Sequence, residues 1–375
     1  MEAIHSIKLF QELGFEVCVI SKLTASQTPE MVTAMSEQLG GVQILTAPFV
    51  KQGFSWERLN PFWLDGASYE YQEPVIQKLV EDTIVAWRPD VVWLEYSFLW
   101  PLIKLAHKYR IPVVLRTANV ESWHLLSDEG FSLRRLISAF SKFLGELYFV
   151  RVADAVLGVT PNETDFYHRI GARYAALLPT RQLAEVLLEA PVPVHDTSVL
   201  DVLVSGATYS VGHNRTAAAF AIRQVAPLLE AQAPGEFRVH ITGAKLPPSL
   251  ATDLPPNVVY EGYVPDFSAF LKGMDIALSP SVGGAGMQVK VFDPITRGIP
   301  TVTMPRAIAG YPFVGGTDVL LATTAQEAAD ALLALRSREL RERIGASGRA
   351  VAEREFSKHK MQERLRAILA AVERS

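Results

Sequence analysis

The chain has 375 residues, and 36 Lys and Arg against 40 Asp and Glu give it a formal net charge of −4. Hydrophobic residues make up 49% and charged residues 20%, which excludes a disordered or fibrous chain. The single cysteine, Cys18, excludes a disulfide framework and a cysteine-rich metal site, and it favours a reducing compartment. No basic excess suggests nucleic-acid binding, and no apolar run reaches the length of a transmembrane helix.

Short apolar runs rich in Val and Ile alternate with helical patterns along the chain. Such runs are typical of strands buried on both faces of a parallel sheet, and the alternation predicts an α/β fold with right-handed crossovers. The alternative is that some runs are buried helical segments, but their short length and β-branched residues favour strands. The predicted strands are residues 17–20, 91–94, 113–115, 155–159, 202–205, 239–242, 258–260, 276–279 and 301–303.

A proline-containing connector at residues 189–198 divides the chain, after a predicted helix at 180–188. We therefore expect two domains, residues 1–180 and 199–355, and a closing helix at residues 356–375. The amphipathic pattern of the first 13 residues predicts a helix that leads into a strand. Because α/β domains of this type open with a strand and a Gly-rich turn, we expect either that the first strand is missing or that the true start lies upstream.

The strongest local pattern is the glycine-rich segment at residues 281–300, which follows a predicted strand and leads into a helix. Its glycines, among them Gly284 and Gly286, let the backbone approach a ligand, and the N–H groups of the helix start favour a phosphate. Lys290 supplies a positive charge, and Asp293 lies on the same helical face, where it can accept from two vicinal sugar hydroxyls. The alternative is a plain turn with Asp293 as helix N-cap.

A second loop, at residues 205–214, places Gly206 and Asn214 between a predicted strand and a predicted helix at 215–231. Ligands of open α/β sheets bind at the carboxyl ends of strands. Further glycine turns follow the strands at 239–242 and 258–260, which predicts one crevice lined by backbone. Ordinary connections also favour Gly and Asn, so this loop alone does not decide the matter.

In the first half of the chain, Asn119 and Glu121 follow the predicted strand at 113–115. Polar residues there are placed to meet a second substrate, although ordinary loop polarity explains them equally well. The segment 131–149 is helical, aromatic and basic, with Arg134, Arg135 and Lys142. A packed crossover helix is the simpler interpretation, and a helix on a membrane surface is the alternative.

Other kinds of active site lack their sequence patterns. The chain contains no Gly-x-Ser-x-Gly elbow, no phosphate-binding loop ending in Gly-Lys-Ser/Thr, and no dinucleotide fingerprint at its opening. The eight histidines are scattered, with no pair at ligand spacing on a helix. These absences argue against a hydrolase of that type, a P-loop enzyme, a nicotinamide dehydrogenase and a zinc enzyme.

Several segments, in their order along the chain, resemble glycosyltransferase family 4, the retaining group 1 glycosyltransferases. The segments are Arg-Pro-Asp-Val-Val at 88–92, residues 111–121, 152–160, 257–266 and 284–300, and Phe-Ser at 356–357. The resemblance implies the α/β GT-B fold, with two facing Rossmann-like domains and parallel sheets.

The resemblance also implies site residues, carried over by position. Asn119 and Glu121 match the family's His-Asn-x-Glu loop, which faces the reacting sugar. Lys290 would neutralise the donor diphosphate, and Asp293 would hold the ribose. The full implied donor-binding set is Gly206, Asn214, Tyr263, Gly284, Gly286, Met287, Lys290 and Asp293.

By the same resemblance we expect transfer of a hexosyl group from a nucleotide-diphosphate sugar to a glycan or lipid-linked acceptor, in cell-surface polysaccharide or glycolipid synthesis. We expect no cofactor, metal or nucleic-acid partner, and a cytoplasmic location with peripheral contact on the inner face of the membrane. Ala118 stands where the family has histidine, Asp293 where it has glutamate, and Pro294 falls within the predicted helix. One alternative is a non-catalytic GT-B chain that binds a nucleotide or a partner. Another is a nucleotide-sugar epimerase, which would want more acid–base side chains than the cleft offers.

Overall fold

The computed structural model describes residues 2–48, 55–64, 66–127, 132–187, 189–281 and 287–374. The chain forms two compact units. One runs from the N-terminus to Gln182 and takes in the residues from Met361 onward, and the other comprises Leu183–Lys360. Both units alternate strands with helices around parallel sheets, as the sequence predicts.

The N-terminal unit has two parallel sheets, a β1–β2 pair and a four-stranded sheet in the order β3-β4-β5-β6. The carboxyl ends of β3 to β6 therefore meet at one edge. In chain order the elements are α1 (Glu2–Glu12), β1 (Cys18–Lys22), α2 (Pro29–Gln38), β2 (Gln43–Ala47), α3 (Pro74–Trp87), β3 (Val92–Leu94), α4 (Ile103–Lys108), β4 (Val113–Arg116), α5 (Glu121–Ser127), α6 (Leu133–Val152), β5 (Ala155–Gly158), α7 (Pro161–Arg169) and β6 (Ala175–Leu177).

Helix α1 packs against both sheets of this unit. Its Ile7 joins a small apolar cluster with Val19 of β1, and the ring of its Phe10 lies 5.0 Å from that of Trp93 in β3. No strand within the described ranges pairs with both β1 and β3. The helix therefore joins two sheets that no hydrogen-bonded ladder connects.

The C-terminal unit has one six-stranded parallel sheet in the order β12-β11-β10-β7-β8-β9. Its strands also end at a common edge, which carries the glycine turns. The elements from the connector onward are α8 (Gln182–Val186), β7 (Leu200–Thr208), α9 (Gly212–Phe220), α10 (Ala226–Gln232), β8 (Phe237–Ala244), α11 (Pro248–Ala251), β9 (Val258–Gly262), α12 (Phe267–Leu271), β10 (Ile276–Ser279), α13 (Val289–Thr296), β11 (Thr301–Thr303), β12 (Leu320–Leu321), α14 (Ala325–Ala334), α15 (Arg338–Phe356) and α16 (Lys358–Val372).

Each predicted strand corresponds to an observed one, but the predicted helix at 215–231 is interrupted. A π-helical turn, Ala221–Val225, separates α9 from α10. Pro227 follows this turn, and its ring nitrogen cannot donate to the preceding turn of a helix, which explains the local change of hydrogen bonding. The short strands β2, β6 and β12 are not among the predicted ones. Of the helices in the described ranges, none is both long and apolar enough to cross a bilayer.

Candidate functional site

The glycine turns of the C-terminal unit are needed first for the packing of the chain itself. A Cβ on Gly206 would lie 2.9 Å from the ring of Tyr209, and a Cβ on Gly243 would lie 2.0 Å from the Gly206 carbonyl oxygen. The Tyr209 ring is buried, and its hydroxyl donates to the carbonyl of Thr242 at 2.8 Å. Gly206 thus has a structural reason to be glycine, independent of any ligand.

Lys290 and Asn214 meet at the carboxyl edge of this sheet. Lys290 Nζ donates to Asn214 Oδ1 at 3.0 Å, and Asn214 Nδ2 donates to the Thr208 carbonyl at 2.9 Å. The amide side chain therefore fixes the lysine relative to the end of β7. Burial lowers the pKa of Lys290, and among the described residues no carboxylate lies within ion-pair distance of it. A cation that is partly buried without a counter-charge indicates a place for an anion.

Asp293 lies in α13, three residues after Lys290, and its carboxylate pairs with Arg297, which follows it by four residues. Arg297 Nε donates to Asp293 Oδ1 at 3.1 Å, while another nitrogen of Arg297 lies 3.6 Å from Glu189. Burial raises the pKa of Asp293, and the contact with Arg297 opposes that rise. The N-cap alternative for Asp293 is wrong, because α13 runs through it from an N-cap at Gln288.

Pro294 also lies inside α13, where the sequence places it. A proline at this position cannot donate to the carbonyl of Lys290, so that carbonyl is left out of the helical ladder. The amides of the first turn, at Val289 and Lys290, have no intrahelical acceptor because of their position in the helix.

The remaining predicted donor residues are less constrained. Met287 is half-buried and directly precedes the N-cap of α13, and Tyr263 follows β9 with 72% of its surface exposed. Gly284 and Gly286 lie outside the described residues. Of the predicted set, the structure therefore brings Asn214 and Lys290 into contact and leaves Tyr263 on the surface.

In the N-terminal unit, Asn119 lies in the loop between β4 and α5, and Glu121 lies where that loop enters the helix. The Asn119 carbonyl accepts from the buried Tyr167 hydroxyl at 3.3 Å, and Glu121, the first residue of α5, lies 3.5 Å from Lys142 Nζ. Tyr167 comes from α7 and Lys142 from α6. Two helices thus hold the loop in place at the carboxyl edge of the sheet.

The sequence analysis missed a third support of this loop, the buried Glu146 in α6. Its carboxylate accepts from the backbone N–H of Ser122 at 3.2 Å and also from the Ser122 hydroxyl. Burial raises the pKa of Glu146 to about 7, although these hydrogen bonds oppose the rise. The available sequence signal was a glutamate on the helical face that also carries Phe149, three residues away, which is an apolar position.

A cluster of four charged residues ties the start of α1 to the same edge. Arg116 lies 3.3 Å from Glu95 and 3.4 Å from Glu2, and Arg181 contacts both carboxylates. Burial, with the neighbouring Arg181, lowers the pKa of Arg116 to about 10. Because two cations face two anions, the cluster is balanced, and its evident role is to hold the helix and the strand ends together.

Two family models match the chain, and together they span most of it. The model described as "Glycosyl transferase 4-like domain" matches residues 5–180, and the model described as "Glycosyl transferases group 1" matches residues 201–338. The chain belongs to the group 1 glycosyltransferases. It is a glycosyltransferase, and a search of curated proteins with its sequence finds no match.

Solved structures of the GT-B fold resemble this glycosyltransferase over nearly its whole length. Anabaena HepE in complex with UDP-glucose is 13% identical, with 99% of this chain and 96% of that chain covered and a TM-score of 0.64. Sucrose-phosphate synthase from Thermosynechococcus elongatus is 12% identical, with 95% and 100% covered and a TM-score of 0.61. A Listeria monocytogenes protein described as a candidate UDP-N-acetylglucosamine 2-epimerase is 14% identical, with 100% and 94% covered and a TM-score of 0.60. These likenesses confirm the predicted GT-B fold. Because a protein described as a candidate epimerase also has this fold, the assignment as a glycosyltransferase rests on the family models.

Proposed function

We propose that this glycosyltransferase takes its sugar from a nucleotide-diphosphate donor and transfers it with retention of anomeric configuration to a glycan or lipid-linked acceptor. The observation that carries the donor assignment is the uncompensated Lys290, held by Asn214 at the first turn of α13. A diphosphate is the anion that suits this position, because a lysine and free helix-start amides face it together. The likeness to HepE, whose structures contain UDP and UDP-glucose, supports a donor of this class.

In the proposed reaction the bond between the anomeric carbon and the diphosphate oxygen breaks, and the nucleotide diphosphate leaves with the electron pair. Lys290 and the amides at the start of α13 stabilise the charge that develops there. The acceptor hydroxyl oxygen bonds to the anomeric carbon on the same face, and its proton passes to the departing phosphate oxygen. Asp293 binds the ribose with the carboxylate oxygen that Arg297 leaves available. No side-chain nucleophile, cofactor or metal is required.

The acceptor half of the proposal rests on the loop of the N-terminal unit. Asn119 and Glu121 contribute its polar groups, and Glu146 and Tyr167 hold its backbone. Ala118 favours the second candidate function, a nucleotide- or partner-binding protein, because a methyl group stands where the family pattern has an imidazole. The hydrogen-bonded Lys290 favours the transferase.

A peripheral membrane contact on the cytoplasmic side, during polysaccharide or glycolipid synthesis, completes the proposal. The first half of α6 exposes Leu133, Leu136, Ile137 and Phe140, and Arg134 is exposed beside them. The second half of the same helix is packed, with Phe149 and Val150 buried. An exposed apolar surface next to a basic residue suits an anionic lipid surface.

The experiment that tests the proposal uses the full chain with UDP-, ADP-, GDP- and dTDP-sugars. Calorimetry measures the binding of each nucleoside diphosphate, and NMR of the product gives the anomeric configuration of the transferred sugar. We expect one base to be preferred and the configuration to be retained. An inverted product would refute retention. Failure to bind any nucleoside diphosphate at millimolar concentration would refute the donor assignment.

A further inference from the structure

The turn after β8 holds a lysine in a backbone conformation that lysine rarely adopts. Lys245 has a φ of 64°, in the left-handed region that glycine and asparagine adopt most readily. Three other non-glycine residues of the described chain share this feature. Arg88 and Arg110 lie at the ends of α3 and α4, where left-handed residues are ordinary, and Asp253 is of a type that tolerates the conformation. Lys245 follows a strand, so neither explanation applies to it.

The side chain of Tyr260 in β9 holds the turn in this conformation. Its hydroxyl donates to the Gly243 carbonyl at 2.9 Å and accepts from the Leu246 N–H at 3.3 Å, so it bridges the two sides of Lys245. The ring of Tyr260 packs against the apolar core of the C-terminal unit. The surrounding structure therefore imposes the left-handed residue, and strained residues of this kind are typical of functional sites.

The register of the sheet places Lys245 beside the site of Lys290. Ala244, the residue before Lys245, is paired with Thr208 of the neighbouring strand β7. The Thr208 carbonyl accepts from Asn214, and Asn214 accepts from Lys290. Neighbouring strands lie about 4.8 Å apart, so the turn that carries Lys245 adjoins the carbonyl that anchors Asn214. Both lysines therefore belong to the carboxyl edge at which the proposed donor binds.

The ammonium group of Lys245 is available to a ligand. Within the described ranges it makes no hydrogen bond or ion pair, and the side chain is exposed. An exposed lysine is ordinary by itself. Lys245 combines exposure with a strained backbone and a place beside Lys290, and these three features together indicate a binding role.

The proposed donor carries more negative charge than Lys290 balances. A nucleotide-diphosphate sugar is a polyanion, and its diphosphate gains a further negative charge when the bond to the sugar breaks. Lys290 supplies one positive charge, and the N–H groups at the start of α13 supply only partial charges. Arg215, which also lies near this edge, donates to the carbonyls of Tyr209 and Ser210. Lys245 is the cation that the chain itself leaves unbound.

We propose that Lys245 is a second cationic residue of the donor site and bonds to the diphosphate of the nucleotide sugar. The inference rests on the proposed function, because it adds a residue to the donor site given there. A glycine would fit this turn with less strain, so the strained backbone serves to present a lysine at the sheet edge. Lys245 and Lys290 together stabilise the charge of the departing diphosphate.

The test compares the full chain with its variants Lys245→Gly, Lys245→Asn and Lys245→Arg. Glycine and asparagine suit the left-handed turn and remove the charge, whereas arginine keeps the charge. Lys272→Asn is the matched control, because Lys272 is an exposed lysine that precedes β10, at the opposite edge of the same sheet. Calorimetry at low and high salt measures the binding of a nucleoside diphosphate and of inorganic pyrophosphate, and urea unfolding measures the stability of each protein.

We expect Lys245→Gly and Lys245→Asn to unfold at no lower urea concentration than the parent, because both residues adopt the left-handed conformation readily. Both variants should bind the nucleoside diphosphate and pyrophosphate about threefold to tenfold more weakly than the parent, because an exposed cation is lost. Their binding should also depend less on salt. Lys245→Arg should bind nearly as tightly as the parent, and Lys272→Asn should not differ from it.

The outcomes separate this inference from the function on which it rests. If the parent binds nucleoside diphosphates and both neutral variants bind them as tightly, the inference is wrong and the donor proposal stands. A loss for the nucleoside diphosphate without a loss for pyrophosphate would place Lys245 against the nucleoside and overturn the diphosphate contact. Weaker binding with a lower urea midpoint in both neutral variants would reduce Lys245 to a structural role. If Lys245→Asn weakens pyrophosphate binding but the parent binds no nucleoside diphosphate, the donor proposal fails while the anion contact stands. If the parent binds neither ligand, both fail.

Discussion

The carboxylate of Glu146 accepts both the backbone N–H and the hydroxyl of Ser122, which fixes the first turn of α5. Glu121 directly precedes Ser122, so these two hydrogen bonds also fix the backbone of Glu121, whose carboxylate belongs to the predicted sugar-acceptor loop. The neighbouring titratable groups are Glu121, Lys142 and Tyr167. Burial disfavours the charged form of the Glu146 carboxyl, so its pKa rises from 4.5 to about 7.

The first prediction is that the free energy of unfolding falls as the pH rises from 4.5 to about 7. Between pH 4.5 and about 7 the folded chain holds a proton on Glu146 that the unfolded chain has released, so unfolding becomes easier as pH rises. The two pKa values correspond to a loss of about 3 kcal/mol across the window. Urea unfolding of the parent and Glu146→Gln from pH 4 to pH 8 measures it. The difference between the two proteins should change by about that amount, and a pH-independent difference would contradict the assignment.

The second prediction concerns the donor site. Lys290→Ala should weaken nucleoside diphosphate binding by about tenfold to a hundredfold, because a charge-assisted hydrogen bond contributes about 1.5–3 kcal/mol. Lys272→Ala is the matched control, since Lys272 is an exposed lysine of the same unit. Calorimetry with the nucleotide of the preferred donor measures both. Equal binding by the parent and Lys290→Ala would place the diphosphate elsewhere.

The third prediction separates the proposed ribose contact of Asp293 from its hydrogen bond with Arg297. Asp293→Asn should weaken nucleotide binding less than Lys290→Ala does, because an amide still accepts one hydroxyl bond. The loss should be smaller for a deoxyribose nucleotide than for the ribose form, since fewer hydroxyls are at stake. The same variant weakens the bond from Arg297, so its free energy of unfolding should fall by about 1 kcal/mol. A stability loss with identical effects on ribose and deoxyribose nucleotides would leave Asp293 a purely structural role.

Short apolar runs and their alternation with helical patterns made much of the fold predictable. Every side chain of β4 and of β5 is buried, as the apolar runs at 113–115 and 155–159 imply. Strand β12 has two residues, too few for a pattern. The contacts of the candidate site are harder to predict from the sequence, because the partners lie far apart along the chain. Lys290 and Asn214 are 76 residues apart, and Ser122 and Glu146 are 24 residues apart. No periodicity connects such pairs. Lys290 and Asn214 meet because parallel strands end at one edge, and Ser122 and Glu146 meet because α5 packs against α6.

The contact between Asp293 and Arg297, which are close in sequence, could have been predicted from their spacing alone. Asp293 and Arg297 are four residues apart on one helix, the separation at which opposite charges pair. The N-cap interpretation of Asp293 gave weight to the proline after it, whereas the helix tolerates Pro294 inside its second turn. The role of Gly206 was likewise out of reach, because the ring of Tyr209 that requires it is placed by tertiary packing.

The fourth prediction tests whether the acceptor loop is catalytically complete. Ala118 is half-buried between Thr117 and Asn119, where the family pattern has histidine. Ala118→His should raise sugar transfer by at least about tenfold, because a placed imidazole can hydrogen-bond the reacting sugar or move a proton. Ala118→Asn controls for polarity alone. Nucleotide release and product formation are measured together with donor binding. No gain, with donor still bound, would favour the nucleotide- or partner-binding alternative.

The fifth prediction concerns the exposed half of α6. The full chain should sediment with vesicles that contain phosphatidylglycerol more strongly than with phosphatidylcholine vesicles, because Arg134 accompanies the apolar side chains. Replacing Leu133 and Phe140 together with serine should weaken binding to both kinds of vesicle by about tenfold, since apolar burial is lost. Arg134→Glu should weaken binding to the anionic vesicles alone, and added salt should reproduce that effect. Val211→Ser, at an exposed apolar residue of the C-terminal unit, is the control. If Leu133 and Phe140 can be replaced without loss of vesicle binding, their exposure has another cause, and the packed-helix interpretation of α6 is sufficient.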